Sequence, residues 1–147
     1  MELMNANIDD ISQLSKLLGS LFQEETEFYV DESVQIRGIT KILENCELGS
    51  IIIAKESDKV IGMVNILFTI STALGGRVAL LEDMIISKNY RNQKIGSKLI
   101  KYAIKFAKDN ECLRITLLTD EDNYIAHSFY TKEGFSRSTM VPFRMML

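Results

Sequence analysis

Two stretches of this chain carry side chains whose types and spacing suit chemistry. The first is Leu81-Glu-Asp-Met-Ile-Ile-Ser-Lys-Asn-Tyr-Arg-Asn-Gln-Lys-Ile-Gly-Ser97, an apolar run interrupted by two carboxylates that passes through a basic loop into a helical pattern. The first N–H groups of a helix have no partner inside it and lie at the positive end of its dipole, so such a turn suits an anion, for instance a pyrophosphate. Arg91 and Lys94 add positive charge, and Gly96 would let a phosphate approach the backbone with no Cβ in the way. The same residues also describe an ordinary helix N-terminus with a surface arginine. They match neither G-x-x-x-x-G-K-[ST] nor G-x-G-x-x-G, which disfavours a P-loop or a Rossmann dinucleotide site.

The second stretch is Asn123-Tyr-Ile-Ala-His-Ser-Phe-Tyr-Thr-Lys-Glu-Gly-Phe135. Asn123 and Tyr130 are close to two helical turns apart and project to nearly one face, which therefore carries an amide and a phenol. A phenol can donate a proton to a leaving group. The plainer alternative makes Asn123 a helix cap and Tyr130 a half-buried amphipathic residue.

Alternating periodicities must position these groups. After an extended start at Met1 to Met4, Asn7 can cap a helix with Ile8, Ile11, Leu14, Leu17, Leu18 and Leu21 on one face, helped by Asp10 three residues on. A second helix follows through Val34, Ile36, Ile39, Ile42 and Leu43 and ends near Asn45. Ser50 to Lys55 and Val60 to Thr69 are β-branched runs joined by Glu56 to Lys59, which reads as a hairpin. Gly75-Gly76 turns the chain into a strand from Val78 to Ile86. A helix over 95–110, with a lysine stripe on its outer side, and a strand from Leu113 to Thr119 complete a βαβ crossover. A short helix from Tyr124 to Lys132 closes at Gly134, and residues 135–147 supply one or two last strands, with Pro142 at an edge or a strand start. The class is α/β, a mixed central sheet with helices on both faces, in a single domain over 1–147.

Composition narrows the function. With 46% hydrophobic and 25% charged residues, one Pro and eight Gly, disordered and collagen-like classes are excluded. No apolar run approaches the roughly 18 residues that would span a bilayer, and the start lacks a basic and apolar leader, so the expectation is a cytoplasmic protein without a membrane partner. A net charge of −3 removes the broad footprint of a nucleic-acid binder. Two cysteines and one histidine cannot build an ordinary four-ligand zinc site, so no metal is expected. Any Ser-His-Asp or Cys-His nucleophile would have to be built on His127 alone.

Taken together and in order, strand, Arg-x-x-Lys-x-Gly loop, helix, strand, then Asn-x-x-Ala-x-x-Phe-Tyr-x-x-x-Gly-Phe resemble the GNAT family of N-acetyltransferases. The match runs from about Ile51 to Phe135, and the two preceding helices also fit. The resemblance implies the acyl-CoA N-acyltransferase fold and acetyl-CoA as cosubstrate. Main-chain groups of Met84, Ile85 and Ile86 would pair with the pantetheine. The pyrophosphate would lie on Arg91, Asn92, Gln93, Lys94, Ile95, Gly96 and Ser97, with Asn123 and Tyr130 near the pantetheine and the sulfur. Two positions depart from the family pattern. Lys94 stands where the first glycine of the loop is usual; a left-handed backbone there would cost stability, whereas a helical one would make Lys94 a further phosphate contact. Leu118 stands where some members place a glutamate base, which leaves Glu82 or, second, Asp83 as candidate, with side chains expected on opposite faces of the strand.

The implied reaction moves an acetyl group to a primary amine, on a small molecule or a protein, by direct attack in a ternary complex, since no activated nucleophile offers a covalent relay. Glu82 would take the amine's proton, a backbone N–H near Met84 would hold the oxyanion, and Tyr130 would protonate the thiolate. The alternative is a non-catalytic CoA-binding sensor or scaffold. On the acceptor side, the acidic segment from Phe22 to Glu32 carries Glu24, Glu25, Glu27 and Tyr29, which would attract a cationic amine or else form an acidic surface loop.

Overall fold

Asn7 opens the first helix as its residue type predicts. Its side chain accepts the Asp9 N–H at 2.9 Å while Asp10 Oδ2 accepts the Asn7 N–H at 3.0 Å. This reciprocal cap closes a 3-10 turn over Ile8–Asp10 that runs into α1 (Ile11–Phe22). Asp10 is buried and receives Lys55 Nζ at 2.6 Å, which fastens the start of α1 to the sheet. In the computed structural model, which describes residues 1–24 and 30–147, α2 (Glu32–Leu43) begins at a second side-chain cap. Asp31 accepts the Ser33 N–H and hydroxyl, and these bonds, the hydroxyl's first, hold its carboxyl below the usual range.

One five-stranded sheet, in the order β1 (Glu2–Asn5), β2 (Gly49–Glu56), β3 (Lys59–Ser71), β4 (Gly76–Ile86) and β5 (Ile115–Leu117), forms the middle layer. The first four pair antiparallel, and β4 with β5 is parallel, joined by α3 (Ile95–Asp109). Strand alternation divides the core between the two faces. Ile51, Ile53, Met63 and Ile85 meet Leu14, Leu18 and Ile39 of α1 and α2, while Ile52, Val64, Ile66 and Leu81 meet Leu99, Ile100 and Ala103 of α3. β2 is apolar on both faces for this reason, reading Ile-Ile-Ile without alternation. α4 (Tyr124–Lys132) adds Phe129 and Tyr130 to the α3 side, so the expected mixed sheet with helices on both faces is what forms. Among the described residues no helix is long and apolar enough to cross a membrane.

Two details differ from the sequence reading. The strand expected over 113–119 pairs only over Ile115–Leu117. Residues 136–147 form no strand at all. Their composition is strand-like, but a strand exists only when its backbone groups find a partner, and in this chain the segment makes no ladder with β5.

Candidate functional site

The site begins where two parallel strands part. β4 and β5 pair only from Ala79–Ile115 to Leu81–Leu117, yet β4 continues to Ile86. From Glu82 onward the edge of β4 that faces away from β3 has no strand partner among the described residues, so the main chain of Met84, Ile85 and Ile86 runs beyond the end of the parallel ladder.

A bulge shapes the same stretch. Met63 pairs with Ile85 and Asn65 with Glu82, so Val64 alone faces both Asp83 and Met84. Asp83 adopts φ 51°, a left-handed conformation that is strained for a residue with a Cβ. Its carboxylate accepts the Asn65 Nδ2–H at 2.6 Å. Asn65 and Glu82 are directly opposed and share a face, so Asp83 turns onto the face of Glu82. The expectation that the two carboxylates point to opposite faces is corrected by this bulge, which breaks the period-two alternation. Glu82 is exposed, whereas Asn65 is buried and its Oδ1 has no hydrogen-bond partner among the described residues. Sequence reasoning missed Asn65; the available signal was an amide standing alone in the β-branched run from Val60 to Thr69.

The loop after β4 turns through Lys88–Tyr90 as a 3-10 helix, and Asn92 and Lys94 both take positive φ, 62° and 61°. Lys94 is therefore left-handed, the costly one of the two possibilities open from the sequence. As the residue before α3 it provides no side-chain cap. Its carbonyl accepts the Lys98 N–H at 3.1 Å, and the N–H groups of Ile95, Gly96 and Ser97 precede the first intrahelical bond. A Cβ at Gly96 would meet Met84 Cε and the Phe129 ring at 3.6 Å, ordinary van der Waals contact, so β4 and α4 pack close to the helix start without excluding a methyl there. The Ser97 hydroxyl donates to Glu133 at 2.5 Å, tying that start to the end of α4. Arg91 donates from Nε to the Ile86 carbonyl at 3.0 Å, which holds its guanidinium at the end of β4. Gln93 donates to the Asn89 carbonyl at 3.2 Å and braces the turn.

Glu24 lies on this loop, 3.4 Å from Arg91 Nη2 and 3.5 Å from Lys88 Nζ. The acidic segment thus begins against the cations of the loop before α3. Glu25, Glu27 and Tyr29 lie outside the described residues.

On α4, Asn123 accepts the Ala126 N–H at 3.1 Å and is the helix cap, the plainer of the two readings its sequence position allows. Tyr130 sits edge-on to Phe129 and Phe135, with ring centroids 5.2 and 5.7 Å away. Burial against these rings pushes the phenol pKa up to about 12, so the hydroxyl is protonated at neutral pH. Among the described residues that hydroxyl has no hydrogen-bond partner. His127 hydrogen-bonds through Nε2 to the Asp120 carbonyl at 2.9 Å and is occupied in holding the turn before α4. No group of His, Cys, Asp and Glu that could hold a metal ion occurs among the described residues.

The family model described as "Acetyltransferase (GNAT) family" matches residues 16–135. The uncharacterized N-acetyltransferase YhfO of Bacillus subtilis (strain 168) is 29% identical over 126 residues, covering 83% of each chain. N-alpha-acetyltransferase 30 of Schizosaccharomyces pombe is 36% identical over 87 residues, which are 58% of this chain and 56% of that one. Among solved structures, that of a possible acetyltransferase from Clostridium difficile 630 superposes with a TM-score of 0.90 at 19% identity, covering 99% of this chain and 97% of that one, and shows the same fold.

Proposed function

Because the chain belongs to the GNAT family of acetyltransferases, we propose that it transfers an acetyl group from acetyl-CoA to a primary amine, with both bound at once. The observation that carries this reading is the unpaired edge of β4 from Glu82 to Ile86, which leads to an uncapped helix start at Ile95. A strand edge offers main-chain donors and acceptors to an extended amide-bearing chain such as pantetheine. The N–H groups of Ile95 to Ser97, with Arg91 and Lys94 beside them, suit a diphosphate at the end of that chain. The residues present therefore fit CoA.

When bound, acetyl-CoA supplies a thioester carbonyl open to attack by an amine. Glu82, exposed on the face it shares with Asn65, takes the proton from the incoming ammonium, directly or through water. The bulge at Asp83 and Met84 takes main-chain groups out of one-to-one pairing and provides an N–H to receive negative charge on the carbonyl oxygen. Tyr130 donates from its free hydroxyl to the departing sulfur. The phenol is a much weaker acid than an ordinary thiol, near 8.5, so a hydrogen bond that steadies the thiolate precedes any full proton transfer. On the acceptor side, Glu25, Glu27 and Tyr29 attract a cationic amine, and the protein works in the cytoplasm.

A panel of small amines and peptide N-termini, assayed for thiol release from acetyl-CoA with mass spectrometry of the products, tests the reading. Acetylated amine appearing in step with thiol supports it. Saturable CoA binding without product from any amine would leave a CoA-binding module instead.

A further inference from the structure

Leu81 and Ile85 are four residues apart on β4, a spacing that puts two side chains on one face of a regular strand. They are buried in opposite layers instead, Leu81 with Leu99 and Ala103 of α3, Ile85 with Leu14 and Ile39 of α1 and α2. Both layers are filled only if one extra residue stands between them, so the apolar pattern of β4 itself demands the bulge. That demand leaves open which residue between the two absorbs the turn.

In the common bulge with a left-handed first residue, that residue is Gly. Here it is Asp83, with φ 51°. The burial of Leu81 and Ile85 does not select Asp83 over its neighbours Glu82 and Met84; a side chain from the next strand does. Asn65 donates from Nδ2 to Asp83 Oδ2 at 2.6 Å, across the place where Val64 alone faces two residues of β4. Asn65 is only 3% exposed, and its Oδ1 has no hydrogen-bond partner among the described residues. A leucine of similar size would fill the space with no polar atom left unsatisfied, so packing does not account for the amide. The strained residue and the buried amide that meets it are explained together if the amide holds the strain in place.

We propose that Asn65 is a positioning residue for acetyl transfer: through Asp83 it fixes the bulge at one place on β4, and with it the main-chain N–H that receives charge on the thioester oxygen. The proposal rests on the transfer reading above. Without the amide the turn can settle at Glu82 or Met84, and the N–H moves with it. Charge on that oxygen develops only in the transition state, so loss of Asn65 is felt in turnover rather than in affinity.

Steady-state kinetics of wild type, Asn65→Leu, Asp83→Gly and the double variant, with acetyl-CoA and the best amine of the panel, test this. Glycine takes a left-handed backbone unaided, so Asn65 becomes superfluous once Asp83→Gly is in place. Asn65→Leu should lower kcat about tenfold in the wild-type background and less than about twofold in the Asp83→Gly background, with the KM for acetyl-CoA changed less than about twofold in each step. The backbone carbon chemical shifts of residue 83 should leave the left-handed range in Asn65→Leu and stay there in the double variant. Asn65→Ser, too short to reach Asp83, repeats the comparison should leucine disturb the packing. A merely structural role predicts equal losses in the two backgrounds, and that result would overturn the proposal. So would a loss carried by KM, unchanged kcat in both Asn65 variants, or left-handed shifts that persist in an impaired Asn65→Leu. A wild type that binds CoA and acetylates no amine would overturn the transfer reading itself, and this proposal with it.

Discussion

Glu24 at the end of α1 and Arg91 in the loop before α3 are 67 positions apart in sequence and meet at 3.4 Å, with Lys88 on the same carboxylate. A carboxylate thereby occupies the two cations that border the uncapped helix start. An anion arriving at the loop must share Arg91 with Glu24 or displace it.

Glu24→Gln should therefore tighten CoA binding. Both partners are 40% exposed, so screening keeps the effect modest, about threefold in Kd at low salt and less as salt rises. Titration calorimetry at two ionic strengths reads it. Weaker binding in the variant would mean that Glu24 orders Arg91 for the ligand rather than competing with it.

Lys94→Gly should raise stability by about 1 kcal/mol, because the left-handed conformation at φ 61° costs a residue with a Cβ roughly that much. CoA affinity should fall slightly with the lost cation. Urea unfolding gives the first quantity, and a loss of stability there would show that the Lys94 side chain contributes packing that outweighs the backbone strain.

Tyr130→Phe keeps the packing on Phe129 and Phe135 and removes the hydroxyl. Turnover should drop roughly tenfold or more with CoA affinity unchanged. The folded-state pKa is raised from 10 to about 12, so the wild type is stabilised below pH 10 and loses that contribution as pH climbs through 12. The variant has no such group, and its alkaline unfolding should be shallower over this window. Parallel alkaline melts of the two proteins would return the phenol to ordinary exposure.

Glu82→Gln should depress activity most at neutral pH and least at high pH, where the amine is already unprotonated. An unaltered pH–rate profile would shift the proton to Asp83 or to water.

Asn65→Asp places a second carboxylate against Asp83 in a buried site, where two neighbouring carboxyls cannot both ionise. The new group's folded pKa is raised, so its stability contribution is lost as pH rises. Urea unfolding should show a loss of about 2 kcal/mol or more at pH 7 and clearly less at pH 4. Equal losses at both would mean that the site is open to water.

Local chemistry in the sequence determined much of this protein. The cap at Asn7, the three- and four-residue spacing of Leu14, Leu17, Leu18 and Leu21, the β-branched runs and the βαβ crossover act within a few turns of chain, and each formed as its pattern predicts. The starts of α3 at Ile95 and of α4 at Tyr124 were legible for the same reason, since helical periodicity is a property of the segment itself. Tertiary structure alone decided what depends on a partner. The bulge that brings Asp83 to Asn65 arises from the register between two strands, and the length of β5 from how far it can follow β4. Glu24 reached Arg91 only because α1 packs across the sheet toward that loop. Residues 136–147 have a strand's composition and no strand, because a helix completes its hydrogen bonds within its own segment whereas a strand must borrow them from another.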